Sequence, residues 1–501
     1  MSLAALAASL SCGPGAGPSA SPAPDAPAER ADPARAARAG LRTPTDRPWA
    51  ERVLDGLTLR EKAAQLMMPF VLGTFSPEGS DAHDRIVRWV RDEGVGGVIM
   101  SVGSPTEVAA KLNDLQEHAA LPLLVAADLE NGAGFRFAGA VHTPTNIVLG
   151  GATTFPSLMA FGAAGDETLA YEMGRITAVE ARAVGVHVPF APVLDVNNNP
   201  DNPIINIRSF GQEPARVARL GAAFVRGLQD YGAVATGKHF PGHGDTETDS
   251  HLALPVIHAD RARLEAVELV PFRAAIDAGM RALMTAHIAV PALTGGEPVP
   301  ATLAPEIIDG LLRRDLGFDG LVFTDAMDMA AIDRLYGRDE ATVRALEAGA
   351  DVILMPPDVP AAIDAVVNAV ESGRLSEARV DRSVLKLLSL KQELGLHVRR
   401  TVDLDQVTRV VGVPEHTQFA ETVAERSITI VRNGRDLLPL LGTRSARVLS
   451  VTYRGRNDLL AGRYFNARLR ATYPRLITAA VDADTNPAVF EGLTREAGRS
   501  D

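Results

Sequence analysis

The chain has almost no cysteine. Cys12 is the single one in 501 residues, so no intramolecular disulfide holds the fold. No apolar run approaches the roughly 20 residues a membrane-spanning helix needs. Basic residues form no cluster: 50 Lys and Arg are scattered among 62 Asp and Glu, for a net charge of −12. That distribution argues against nucleic acid and against an anionic membrane surface as partner. There is no internal repeat, and neither an HExxH pattern nor a cysteine pair marks a zinc site. What remains is an ordinary globular composition, 46% hydrophobic and 22% charged, in a chain long enough for two domains.

The densest chemistry lies in Gly237 to His251, GKHFPGHGDTETDSH. His239, His243 and His251 stand there beside Asp245, Glu247 and Asp249. Three glycines and Pro241 keep most of the stretch out of regular helix or strand. The apolar run Ala233 to Thr236 leads into it, so it reads as a loop at the end of a buried strand, where chemistry collects. In an extended Asp249-Ser250-His251, residues i and i+2 point the same way. Asp249 then reaches the His251 ring, fixes its tautomer and raises its pKa, which makes His251 a candidate proton donor and acceptor. Two other readings stay open: zinc ligation by the three histidines with Asp245 or Asp249, and a hydrogen-bonded structural turn.

Residues 1–44 read as a leader and a disordered Pro/Ala-rich linker. The apolar segment Leu3 to Leu10 before Cys12 has the shape of a lipoprotein signal, although no Lys or Arg precedes it. The expectation is a cell-envelope protein, periplasmic or lipid-anchored at Cys12, with a cytoplasmic enzyme as the alternative. Residues 45–400 alternate apolar strand-like runs with helix-period segments. Thr58 followed by Glu61 marks a helix start. Eight strands are expected: Gln65–Val71, Gly97–Val102, Leu123–Asp128, Val186–Val196, Ala233–His239, Ala282–Ile288, Leu321–Thr324 and Asp351–Met355. Eight buried strands separated by helices predict an α/β fold with a parallel sheet, and eight closes a (β/α)8 TIM barrel. Asp128, Asp195, Lys238, His239, His287 and Asp325 then fall at carboxyl ends of strands, the active-site face of such a barrel. Residues 401–501 look like a partial α/β layer domain: an edge strand from Ser427 to Gly434, a buried strand Arg447–Tyr453, a helix Leu459–Tyr473 and a strand Arg475–Val481, with no helix to cover the far side.

The motifs resemble glycoside hydrolase family 3, in its bacterial β-N-acetylglucosaminidase (β-N-acetylhexosaminidase) branch, over about Leu57 to Leu438. They are Lys238-His239-Phe240-Pro241-Gly242-His243-Gly244-Asp245-Thr246 with Asp249-Ser250-His251, Phe323-Thr324-Asp325-Ala326-Met327, Glu180-Ala181-Arg182 through Phe190 to Val196, and Arg208-Ser209-Phe210-Gly211. The resemblance implies retaining hydrolysis of terminal β-linked N-acetylglucosamine from cell-wall fragments, with Asp325 as nucleophile, His251 as acid/base and Asp249 as its partner. It also implies that Asp128, Arg208, Lys238 and His239 hold sugar hydroxyls, that His243 holds the loop, and that no metal or cofactor takes part. Asp195 and Glu180 match motif positions as sugar contacts or as residues supporting them. The run Asp128-Leu129-Glu130-Asn131-Gly132-Ala133-Gly134-Phe135-Arg136 departs from the family's usual Glu-Gly-Gly pattern. The competing readings are a β-glucosidase or β-xylosidase of the same fold, an N-acetylglucosaminide phosphorylase, and an inactive lipid-anchored carbohydrate-binding protein.

Overall fold

The computed structural model describes residues 47–500, except 142–146, 149, 251–252, 330–331, 333–334, 435–437, 440–443, 456–457 and 459. The leader, Cys12 and the linker therefore lie outside the described residues. Contacts divide the chain into two units, one ending at Ile428 and the other running from Thr429.

The first unit is a parallel α/β structure. Thr58 caps helix Leu59–Gln65 in a full capping box, its hydroxyl taking the Glu61 N–H while Glu61 takes the Thr58 N–H. Strands follow at all eight expected places, shorter than expected: β1 Met67–Met68 with β2 Phe70–Leu72, β3 Gly97–Ser101, β4 Leu124–Ala127, β7 Val188–Pro189, β8 Thr236–Phe240, β9 Ala282–Thr285, β10 Leu321–Phe323 and β11 Ile353–Leu354. Between β4 and β7 lies a small antiparallel pair, β5 Ala140–Val141 with β6 Ile147–Val148. Pro69 splits the first strand and Pro189 and Pro192 trim β7, because a proline offers no N–H to a ladder. The parallel ladders run β2-β3-β4-β7, β8-β9-β10 and β1-β11. Further backbone bonds link them. Thr236 N–H donates to Ala191 O and Lys238 N–H to Pro192 O, Thr324 N–H donates to Val352 O, and Ile353 N–H donates to Leu66 O.

Every residue of β3, β4, β8 and β9 is buried, as parallel strands covered on both faces should be. The period-2 alternation sorts them. Leu124 and Ala126 of β4 join Met68, Ile99, Val188, Met284 and Phe323 in a cluster made largely of strand residues. Val125 and Ala127 face the larger cluster that includes the helices.

Helices Leu404–Val410 and Pro414–Ser427 come out of the stretch grouped with the second domain in the sequence reading, yet they pack on the first unit. Glu180, fully buried, fastens them. Its carboxylate accepts from the Thr153 N–H and hydroxyl (both 2.7 Å) and from Gly412 N–H (2.9 Å), and pairs with His416 Nδ1 (2.7 Å).

The expected edge strand at Ser427–Gly434 is not formed. The helix runs through Ser427, and Ile428, Ile430 and Val431 are exposed with no strand beside them among the described residues. The second unit instead pairs β12 Leu449–Tyr453 with β13 Ile477–Val481 in parallel, joined through helix Arg463–Thr472. Contrary to expectation, β12 is half exposed rather than buried, because among the described residues only one strand flanks it and neither adjoining helix contributes a buried residue. A final helix, Pro487–Ala497, is present where none was expected. The Asn486 side chain caps it through Ala488 N–H and Pro487 opens it.

Candidate active site

The polar residues at the strand ends form one charge network. Lys238, in the wholly buried β8, is itself 2% exposed. Its ammonium reaches Asp128 Oδ1 at 2.8 Å and Glu130 Oε1 at 2.7 Å, both on the segment leaving β4. Arg208 grips Glu130 in two parallel bonds, Nε to Oε2 and Nη2 to Oε1, each 2.8 Å. Arg136 adds a bond from Nη2 to Asp128 Oδ2 at 2.9 Å. Burial opposes charge on Glu130, but Lys238 and Arg208 outweigh it and hold the carboxyl well below the usual range. Asp128 is likewise lowered despite burial, by Lys238 and Arg136. The same pairing keeps Lys238 raised against the pull of burial. Two carboxylates and three cations thus remain ionised, ready to donate and accept charge-assisted hydrogen bonds.

Asp195 anchors the loop after β8. Fully buried, it accepts from the backbone N–H of His239 (3.2 Å) and His243 (2.6 Å) and pairs with His239 Nδ1 at 2.7 Å. Arg208 Nη2 lies 3.4 Å from His239 Nε2. A guanidinium only donates, so Nε2 is the acceptor and the His239 ring proton sits on Nδ1, directed at Asp195. Asn202 clamps the far side of the loop, its amide donating to His243 O (2.9 Å) and Gly244 O (3.0 Å). Gly244 has to be glycine, since a Cβ there would stand 1.7 Å from Val196 O. His243 reaches Thr246 Oγ1 through Nδ1 (2.9 Å) and Ser250 Oγ through Nε2 (3.1 Å), and burial pushes its pKa down to about 4. Both bonds lie within the loop.

Asp325 follows β10, partly exposed, with Oδ1 accepting Ala326 N–H at 2.8 Å. His287 supports that turn: Nε2 lies 2.9 Å from Ala326 O and Nδ1 2.8 Å from Thr302 Oγ1. Burial lowers the His287 pKa, while the Asp325 carboxylate opposes that fall. Asp128, Arg208, Lys238 and His239 therefore converge, with Asp195 beneath them and Asp325 in electrostatic reach of His243 and His287. Asp249 is half-buried, its carbonyl accepting Ala253 N–H at 3.1 Å. His251 lies outside the described residues.

Sequence reasoning missed Glu130, Arg136 and Asn202. The first two stand in the departing segment after Asp128, yet that segment still supplies a carboxylate to Lys238 and an arginine to Asp128. A charged residue two places past a strand-end aspartate was the available signal for Glu130.

Comparison with known proteins places the chain in a family. Residues 58–390 match the model of the glycosyl hydrolase family 3 N-terminal domain. A β-N-acetylglucosaminidase/β-glucosidase of Cellulomonas fimi is 32% identical over 409 residues, covering 80% of this chain and 69% of that protein. A family 3 β-N-acetylglucosaminidase structure from Paenibacillus sp. str. FPU-7 superposes with a TM-score of 0.72 at 38% identity, over 89% of this chain and 83% of that one. A β-glucoside phosphorylase structure superposes with a TM-score of 0.78 at 27% identity, over 89% and 80%. The chain belongs to glycosyl hydrolase family 3.

Proposed function

We propose that the protein is a retaining β-N-acetylhexosaminidase that releases terminal β-linked N-acetylglucosamine, with cell-wall fragments as its source. The observation that carries this reading is the network of Asp128, Glu130, Lys238, Arg208 and Arg136 at the strand ends, with Asp325 following β10. The network offers ionised donors and acceptors for sugar hydroxyls. Asp325 attacks the anomeric carbon as the bond to the leaving oxygen breaks, and His251, held by Asp249, gives that oxygen its proton. In the second step neutral His251 takes a proton from water, whose oxygen displaces Asp325. The names of the Cellulomonas and Paenibacillus relatives support the N-acetylglucosaminide as substrate.

The scaffold we propose is a closed (β/α)8 barrel over about residues 45–400. Two features support it: β1 and β2 pair on opposite sides, with β11 and with β3, and Phe190 after β7 meets Phe323 of β10, ring centroids 5.2 Å apart, although β8 and β9 lie between them in the ladder order. The Leu3–Leu10 segment and Cys12 support a lipid anchor, which Cys12→Ala should release from the membrane fraction.

The test is turnover of 4-nitrophenyl N-acetyl-β-glucosaminide against the β-glucoside, followed by product anomer. Asp325→Ala should lose on the order of 10⁴-fold in turnover, with azide restoring part of it as the opposite anomer. Near-normal turnover with retention would remove Asp325 from the nucleophile role. The phosphorylase neighbour favours one further reading, phosphorolysis, and a sugar 1-phosphate product in phosphate buffer would select it.

A further inference from the structure

The Arg182 of the Glu180-Ala181-Arg182 motif takes no part in the site described above. It ends helix Glu167–Ala183, just ahead of β7, so it lies at the amino-terminal side of the strands, opposite Asp128 and Lys238. There it lines a cleft of about 750 Å³ with His187, Arg399 and Arg400. That volume is in the range of small-molecule sites.

The cleft is cationic and no carboxylate pairs with its arginines among the described residues, although Arg400 donates to Ala119 O at 2.7 Å. Arg182 Nη1 is fully buried and has no hydrogen-bond partner among the described residues. His187, 3% exposed, accepts Val125 N–H through Nδ1 at 3.0 Å. That places the ring proton of the neutral imidazole on Nε2, which bonds to no described residue. Behind it, Lys391 is wholly buried and among the described residues meets only the neutral Gln65 Oε1, at 2.8 Å. Burial pushes Arg182 down to about 10 and Lys391 down to about 7, with no carboxylate to oppose it. The two acidic residues of the lining are engaged elsewhere: Glu393 pairs with Arg281, and Asp403 caps helix Leu404–Val410 through Asp405 N–H. Buried cations are ordinarily paired, because leaving them unpaired forfeits hydration without return.

We propose that this cleft binds a phosphate-type oxyanion, free or as a phosphate monoester, with Arg182 and His187 donating from within and Arg399 at the rim. A tetrahedral oxyanion accepts from several directions at once, which suits a guanidinium beside an imidazole N–H. The site is separate from the carbohydrate network, so occupancy is a binding event of its own.

The experiment is calorimetric titration of the full chain with inorganic phosphate at pH 7 and fixed ionic strength, with chloride as control. Saturable one-to-one binding is expected, with a phosphate-dependent rise in the unfolding temperature. Arg182→Gln should weaken phosphate affinity about tenfold or more, and Arg399→Ala by about threefold, through lost charge-assisted bonds. Should Arg182→Gln fail to fold, Arg399→Ala decides alone. Absence of saturable binding beyond the chloride control, or wild-type affinity in each folded variant, overturns the proposal. A phosphomonoester such as glucosamine 6-phosphate, titrated in parallel, tells a free ion from a phosphorylated ligand by which binds more tightly.

Discussion

Glu130 ties the network together, because it answers both Lys238 and Arg208 from a position 5% exposed at its side chain. Removing it leaves three cations, Lys238, Arg208 and Arg136, around a single remaining carboxylate, Asp128. Glu130→Ala should lower kcat/KM on the aryl N-acetylglucosaminide by about 100-fold or more, the loss expected when a buried charged partner goes. Glu130→Gln, which keeps the shape and one acceptor, should lose less. Equal kcat/KM for wild type and Glu130→Ala would show that Lys238 and Arg208 do not need it. His243 makes a second prediction at this scale. Its pKa falls from an ordinary 6.5 to about 4 on folding, because burial disfavours the charged ring. The unfolded chain therefore binds the proton first. Stability is fully present above pH 6.5 and drains away as pH falls towards 4, by about 3 kcal/mol at most. The carboxylates of the network titrate below that window. Urea unfolding at pH 7.5 and pH 5 should show this slope in wild type and a shallower one in His243→Gln.

At the scale of elements, Glu180 joins the Thr153 segment to helices Leu404–Val410 and Pro414–Ser427. Glu180→Ala orphans the Gly412 N–H and the His416 ring in a buried place, and should cost about 3–5 kcal/mol in denaturant unfolding. It should leave kcat/KM of the folded fraction nearly intact, since Glu180 does not touch the Asp128 network. An unchanged midpoint would mean that those helices hold by apolar contacts alone. None of these partners was legible in the sequence, where Glu180 and His416 are 236 residues apart. The strands were legible because continuous apolar runs ending in a polar residue have few other uses in an α/β chain. Lys238, His239 and Arg208 were found through their motifs and Asp128 through its place at a strand end, and all four meet. The Ser427–Gly434 strand was misread because alternation tells which face a segment would bury and is silent on whether a neighbour exists to pair with it. Helix Pro487–Ala497 was missed despite its Asn486-Pro487 start, a local signal that sufficed to find it.

At the scale of the molecule, every described residue of the network belongs to the first unit, and the described residues of 429–501 add none. A chain cut after Ile428 should therefore unfold in one cooperative transition and retain hydrolysis within about threefold of the full chain, scanning calorimetry and turnover being the measurements. Loss of the transition would show that the second unit is needed for folding rather than chemistry. The pairing of β1 with β11 has a further consequence, in the order of synthesis. Met67 emerges from the ribosome 286 residues before its partner Ile353 (353 − 67), and Glu180 waits 232 residues for Gly412 and 236 for His416. Until then β1 presents an unpaired edge, and the surfaces destined for helices 404–427 stand bare. The nascent chain thus spends most of its translation with sticky strand edges, at roughly 5–20 residues per second a matter of tens of seconds, which makes it a natural client for chaperones that shield such edges.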